Sequence, residues 1–180
     1  MKYKGLLILA GLLFIPKLFK SKSMTWDSYT NDRLQTLHPK IKESVEAFIN
    51  DAEKQDIKLR ITPTGALRSL KTQENLYAIG RTKPGTIITS SVPGTSYHNY
   101  GLAIDVVEIK DGVALWTNPN WEKIGKLGEK HGFEWGGRWT SKQCKNCPDK
   151  PHFQKRYGLH HSAMLKMSKE GKTTNGYINI

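Results

Sequence analysis

The chain has 180 residues, with 28 Lys+Arg against 16 Asp+Glu, six His, two Cys and 37% apolar residues. That is the length of one domain and the composition of a folded globule, which excludes bulk disorder, a collagen-like repeat, a coiled coil, a polytopic membrane protein and a disulfide-framed mini-protein. The net charge of +12 is regional: residues 1–22 carry five Lys and no acid, residues 23–122 are near neutral, and residues 123–172 hold 12 basic against 4 acidic side chains, a field that should face something anionic.

Gly5–Pro16 (GLLILAGLLFIP) is an uncharged apolar run behind Lys2 and Lys4. It is too short to span a bilayer, which needs about 20 residues, yet it has the positive-then-apolar layout of a secretory signal. No small-x-small cleavage site follows, and Lys17, Lys20 and Lys22 place charge on the side to be exported. Residues 1–22 are therefore expected to be a signal or an anchor, with membrane contact through residues 5–16 and a buried core helix as the alternative. Residues 23–37 are polar and read as a linker; residues 38–180 read as the folded domain.

His38-Pro39 opens a helix, since Pro is tolerated in the first turn, and Ile41, Val45, Phe48, Ile49 and Ala52 follow at helical spacing. Lys58–Thr62 alternates like a strand. Thr72–Ile79 is a short helix that Gly80 can end. After the Lys83-Pro84-Gly85 turn, Thr86–Ser90 (TIITS) is expected to be a strand. Leu102–Glu108 is the strongest strand signal, closed by Lys110-Asp111-Gly112. Asn120–Lys130 is helical with Gly132 as its stop, Phe133–Trp135 and Pro151–Gln154 are short strands, and Ser162–Glu170 is a last helix. Helices and strands do not alternate in the βαβ manner, so the expected class is α+β around a small antiparallel sheet flanked by helices.

Three residues carry chemistry. His98, Asp105 and His152 offer two imidazoles and one carboxylate, a common catalytic zinc set with the fourth position left to water, whose pKa the metal lowers. On the Leu102–Glu108 strand, Leu102, Ile104 and Val106 share the core face, which leaves Asp105 and Ala103 on the other. A carboxylate there is costly unless something binds it. His98 lies seven residues earlier, a spacing that a regular strand would send to the opposite face. The chain must therefore turn near Asn99–Gly101, as Gly101 permits. Pro151 holds Lys150 extended, so Asp149 and His152 can point into one site. Asp149 could then act as general base, or be only a turn residue.

The string SYHNYGLAID, residues 96–105, resembles the S-x-H-x-x-G-x-A-x-D signature of a zinc peptidase family that joins D-alanyl-D-alanine carboxypeptidases with L-alanyl-D-glutamate endopeptidases. Gly65-Ala-Leu-Arg68-Ser69, Gln73, Leu76-Tyr77 and Gly80-Arg81-Thr82 are similar to that family's arginine-containing segment. Phe133-Glu-Trp135-Gly136-Gly137-x-Trp139 and Asp149-x-Pro151-His152-Phe153 are similar to its closing segment. The resemblance runs over about residues 37–154, and the endopeptidase branch of cell-wall enzymes and phage endolysins is the most similar.

It implies a hedgehog/DD-peptidase-like zinc fold and one Zn2+ held by His98, Asp105 and His152, with Asp149 as the base. Arg68 would stabilise the oxyanion or anchor a substrate carboxylate, for which a planar, permanently charged guanidinium suits. Ser96 would hydrogen-bond the peptide. Gln73, placed with the substrate-binding set, would orient Arg68 or close a loop. Tyr100, Trp135 and Trp139 would line the cleft, with core packing expected instead for at least one of them, and Glu134 is the second candidate base. The departure is an insertion at residues 140–146 with Cys144 and Cys147, where a structural role is expected ahead of a redox or second-metal one.

The implied activity is hydrolysis of peptidoglycan stem peptides between L-Ala and D-Glu. The alternatives are a D-Ala-D-Ala carboxypeptidase and a non-catalytic zinc-bearing cell-wall binding module. The expected partners are peptidoglycan and anionic cell-envelope polymers, with no nucleic acid, because no aromatic platform accompanies the basic cluster. A monomer in the cell envelope is expected.

Overall fold

The computed structural model describes residues 25–140, 142 and 147–180. The expected membrane-contacting run at residues 5–16 and Cys144 lie outside them.

Helix α1 spans Ser28–Thr36 and is capped by Asp27, whose side chain accepts from the Thr30 amide. Within the polar linker expected at residues 23–37, residues 28–36 thus form a helix instead. Its signals were a capping Asp and two inward residues, Thr30 and Leu34. Thr30 is polar but satisfied, its hydroxyl donating to Asp27 at 2.7 Å, so the buried face does not read as apolar. Helix α2, Pro39–Glu53, starts as expected, with the His38 ring accepting from the Lys40 amide and five apolar side chains facing inward. Phe48 meets Phe153 with ring centroids 4.9 Å apart.

The main sheet has the order β1-β2-β5-β4, with β3 on a side of β2. Its strands are β1 (Leu59–Ile61), β2 (Ala103–Lys110), β3 (Val113–Leu115), β4 (Glu134–Trp135) and β5 (His152–Gln154), all paired antiparallel. The expected α+β class holds. Helix α3 covers Leu70–Ala78, α4 Trp121–Lys130 and α5 His161–Lys169, and a final hairpin pairs β6 (Thr173–Thr174) with β7 (Tyr177–Ile178).

The register along β2 orders the site. β1 holds one edge at Val106–Glu108, and the chain beyond it continues along that edge: the Thr62 amide donates to Asp105 O and the Asp105 amide to Gly65 O. β5 and β3 share the other edge, with His152 opposite Asp105 and Leu115 opposite Glu108.

The expected strand at Thr86–Ser90 is absent. Arg81 Nη2 donates to Thr89 O and Gln73 Nε2 to Ser91 O, so side chains rather than a neighbouring strand take these carbonyls. Alternation alone does not make a strand; it needs a partner for the backbone.

Candidate metal centre and cleft

His98 reaches the centre from a 3₁₀ turn, Tyr97–Tyr100, that Gly101 ends at φ 66°. The expected bend between His98 and Asp105 is therefore present. A Cβ at Gly101 would also lie 2.7 Å from the His38 amide nitrogen, so the position excludes a side chain twice over. Asp105 is on β2 and His152 is its cross-strand neighbour on β5.

The three donor atoms form a nearly equilateral triangle. His98 Nε2 is 3.2 Å from Asp105 Oδ1 and 3.2 Å from His152 Nδ1, and His152 Nδ1 is 3.1 Å from Asp105 Oδ1. For a tetrahedral zinc with bonds of about 2.0–2.1 Å, adjacent donors stand about 3.3 Å apart. The donor set thus fits such an ion in number, type and spacing.

The surrounding groups fix the rings. With its Nδ1–H on Ala66 O at 3.0 Å, His98 keeps Nε2 bare toward the centre. His152 Nε2 is 2.9 Å from the Gln154 side-chain amide; with that amide's oxygen turned to an Nε2–H, Nδ1 would be bare in the same way. Such outer partners set tautomer and orientation in metal sites. Burial pushes the His98 imidazole down, with Arg68 and His152 adding to this against the pull of Asp105. Burial would raise the Asp105 carboxyl, but the two histidines outweigh it and hold it well below the usual carboxylate range.

Arg68 is buried. Nε and Nη2 both donate to Thr64 O, Nη1 to Gln73 Oε1 at 3.0 Å, and Nη2 to Asp105 Oδ2 at 3.1 Å. Four of the five guanidinium N–H groups thus have partners among the described residues, and the remaining one is on Nη1. Arg68 holds one Asp105 oxygen while the other joins the donor triangle. Burial pulls the guanidinium down, opposed by Asp105 and Asp149.

Asp149 sits on the loop before β5, its amide donating to Gly136 O at 2.9 Å. A Cβ at Gly136 would stand 2.5 Å from Asp149 O, so only glycine lets this loop close on the turn after β4. Burial pushes the Asp149 carboxyl up and the Asp105 charge adds to it, against His152 and Arg68. The triad, Asp149, Arg68 and Ser96 all line one cleft of about 830 Å³, together with Trp116, Trp139, Ile88, Arg156 and His160.

The profile of a family described as D-alanyl-D-alanine carboxypeptidase matches residues 89–155. The peptidoglycan L-alanyl-D-glutamate endopeptidase CwlK of Bacillus subtilis (strain 168) is 40% identical over 128 residues, which cover 66% of this chain and 72% of that protein. The chain belongs to this family of zinc peptidases. Two solved structures share the fold. The L-Ala D-Glu endopeptidase ChiX of Serratia marcescens has 23% identity and a TM-score of 0.51 over 76% of this chain and 93% of its own. The L,D-carboxypeptidase DacB of Streptococcus pneumoniae has 19% identity and a TM-score of 0.52 over 80% of each chain.

Several expected cleft residues of this peptidase lie elsewhere. Gln73 is 0% exposed, so it cannot touch substrate; it bridges Arg68 Nη1 and Ser91 O and so does both jobs weighed for it. Trp135 is buried, donates to Lys150 O at 2.7 Å and lies near-parallel to Phe153. It braces the Asp149–His152 turn from behind. Tyr100 is buried with its hydroxyl on Gly94 O, and burial pushes its phenol up to about 12. Glu134 is engaged by Arg156 and the Trp139 indole, which leaves Asp149, of the two candidate bases, as the one lining the cleft.

Gln154 was missed. Its spacing of two from His152 on a strand places both side chains on one face, a signal that was available. Cys147 is disulfide-bonded. Among the described residues no helix is long and apolar enough to cross a membrane.

Proposed function

We propose that this peptidase is a zinc-dependent peptidoglycan L-alanyl-D-glutamate endopeptidase acting at the cell envelope. The observation that carries the chemistry is the 3.1–3.2 Å donor triangle of His98, Asp105 and His152 beside Asp149 and Arg68 in one cleft. The choice of bond rests on the 40% identity to an enzyme of that name. The cleft agrees with an internal cut: along β2, Leu115 is opposite Glu108 on one side of Asp105, and Lys155 bonds Leu102 on the other. Lining residues Trp116 and Arg156 thus extend the cleft to both sides of the centre.

A zinc ion held by the triad would supply Lewis-acid polarisation of the scissile carbonyl and a water acidic enough to ionise near neutral pH. Asp149 accepts the proton of the attacking water at its carboxylate and returns it to the leaving D-Glu amine. Its upward shift brings it nearer the working pH, where a base that must also act as an acid is most effective. Arg68 offers its remaining Nη1–H to the oxygen on which charge develops, and Ser96, whose Oγ caps the His98 turn, positions the peptide at the cleft wall. The basic 123–172 segment raises the local concentration of the anionic wall substrate.

Digestion of purified peptidoglycan by the zinc-loaded chain, read by mass spectrometry, tests this. The expected products carry new amino-terminal D-Glu and vanish with chelator and in Asp149→Asn. Release of D-Ala alone would make the enzyme a carboxypeptidase, and zinc binding without cleavage would make it a binding module.

A further inference from the structure

Trp116 takes no part in the chemistry above, yet it is 60% exposed and lines the same cleft as the triad. Its backbone is anchored on both sides. The Trp121 indole donates to Trp116 O at 3.4 Å. Two and four residues on, Asn118 and Asn120 both donate to the Glu108 carboxylate, at 2.7 and 3.0 Å, and Asn118 Oδ1 accepts the Asn120 amide at 2.7 Å. Glu108 itself is 4% exposed. A buried carboxylate is expensive, and here it fixes the loop that presents an indole ring to water.

We propose that Trp116 is a saccharide-stacking subsite that receives the amino sugar carrying the stem peptide. This rests on the endopeptidase reading and adds a part of the substrate that reading leaves unplaced. The first argument is position. β3 returns antiparallel along the edge of β2 that β5 also uses, and Trp116 is the first residue after it. Leu115 lies opposite Glu108, three residues from Asp105, or about 10 Å along the strand.

The second argument is the substrate's own length. In a stem peptide the L-Ala amine is acylated by the lactyl group of the amino sugar. One residue plus that short ether link puts the sugar ring about 7–10 Å from the L-Ala–D-Glu bond. In a D-Ala-D-Ala cut the sugar would be several residues more distant. The third argument is chemical. A pyranose ring shows a face of C–H groups with its hydroxyls splayed outward, which matches a flat indole whose other edge stays wet. The stem peptide, in contrast, is short and acidic and finds Arg68, serine and threonine side chains in the cleft.

The test uses two substrates for the zinc-loaded full chain: a disaccharide-tripeptide and the same tripeptide without sugar. Wild type should favour the first. Trp116→Ala should lower the ratio of their kcat/KM values by about tenfold, and Trp116→Tyr should restore most of it, as stacking on a smaller ring predicts. An unchanged ratio in Trp116→Ala would overturn the proposal and leave the endopeptidase reading intact. Independently of cleavage, the Trp116 indole N–H resonance should shift on adding the disaccharide alone, and no shift would likewise overturn the subsite. If wild type cuts neither substrate while that resonance shifts, the saccharide site stands and the endopeptidase reading falls.

Discussion

Replacing Gln73 with Leu removes the bridge behind Arg68 with little change in volume. Two hydrogen bonds go: the one accepted from Arg68 Nη1 at 3.0 Å and the one donated to Ser91 O at 2.7 Å. A bond to a charged group contributes about 1.5–3 kcal/mol and a neutral one about 1 kcal/mol. The buried leucine methyls return about 1 kcal/mol, so the net loss is about 1.5–3 kcal/mol. For a domain of this size each kcal/mol moves Tm by about 2–4 °C, so thermal unfolding should shift down by about 3–12 °C. Hydrolysis of a stem peptide should show kcat reduced about tenfold, because Arg68 loses the contact that sets its Nη1 direction, with KM little changed. Gln73→Glu separates the two bonds: it keeps an acceptor for Arg68 but turns an oxygen toward Ser91 O. It should retain more of kcat than Gln73→Leu while being destabilised. A Gln73→Leu enzyme with Tm within 2 °C of wild type, as small as one surface substitution would give, and with unaltered kcat would refute the positioning role.

Zinc at 100 times its Kd should stabilise the chain by about 2.7 kcal/mol. Thermal unfolding with and without chelator should therefore differ by about 5–11 °C, and the difference should vanish in His98→Ala. In Gly136→Ala the new Cβ would meet Asp149 O and the His152 side chain; activity should fall about 100-fold, as for an ångström-scale misplacement, while circular dichroism keeps the native helix content. Burial would raise the Asp27 carboxyl, but hydrogen bonds from Arg60 and Thr30 outweigh it and hold it below its ordinary value. The unfolded chain therefore takes up the proton first, so this stabilisation is full above about pH 4 and is lost as pH falls through the lower folded value. Asp27→Asn, which can still cap α1, should be less stable at neutral pH and show a shallower acid decline in urea titrations.

Legibility differed between kinds of residue. Asp105 stood out because a carboxylate on an apolar strand is costly by itself, and the seven-residue gap to His98 announced a turn before any coordinates. Gln73, Tyr100 and Trp135 were harder. Each has a polar atom that could face a substrate or a backbone carbonyl, and in each the carbonyl is Ser91, Gly94 or Lys150, distant in sequence or on another element. Helix α1 hid because its inward face includes Thr30, satisfied by Asp27, and Thr86–Ser90 misled because its alternation meets side chains.

The sequence by itself determined the α+β class and the extents of α2, β2 and α4 to within a few residues, which follow from local periodicity. It also singled out His98, Asp105 and His152, through a costly carboxylate on an apolar strand and the family resemblance, and the structure brings their donor atoms within 3.2 Å of one another. Tertiary structure alone decided that β5 and β3 share one edge of β2, which sets His152 against Asp105 and brings Trp116 back toward the same centre. It alone decided, too, that Arg68 spends most of its donors on the protein. Pairing across a sheet and the filling of hydrogen-bond capacity are settled between segments tens of residues apart, and no local pattern carries them.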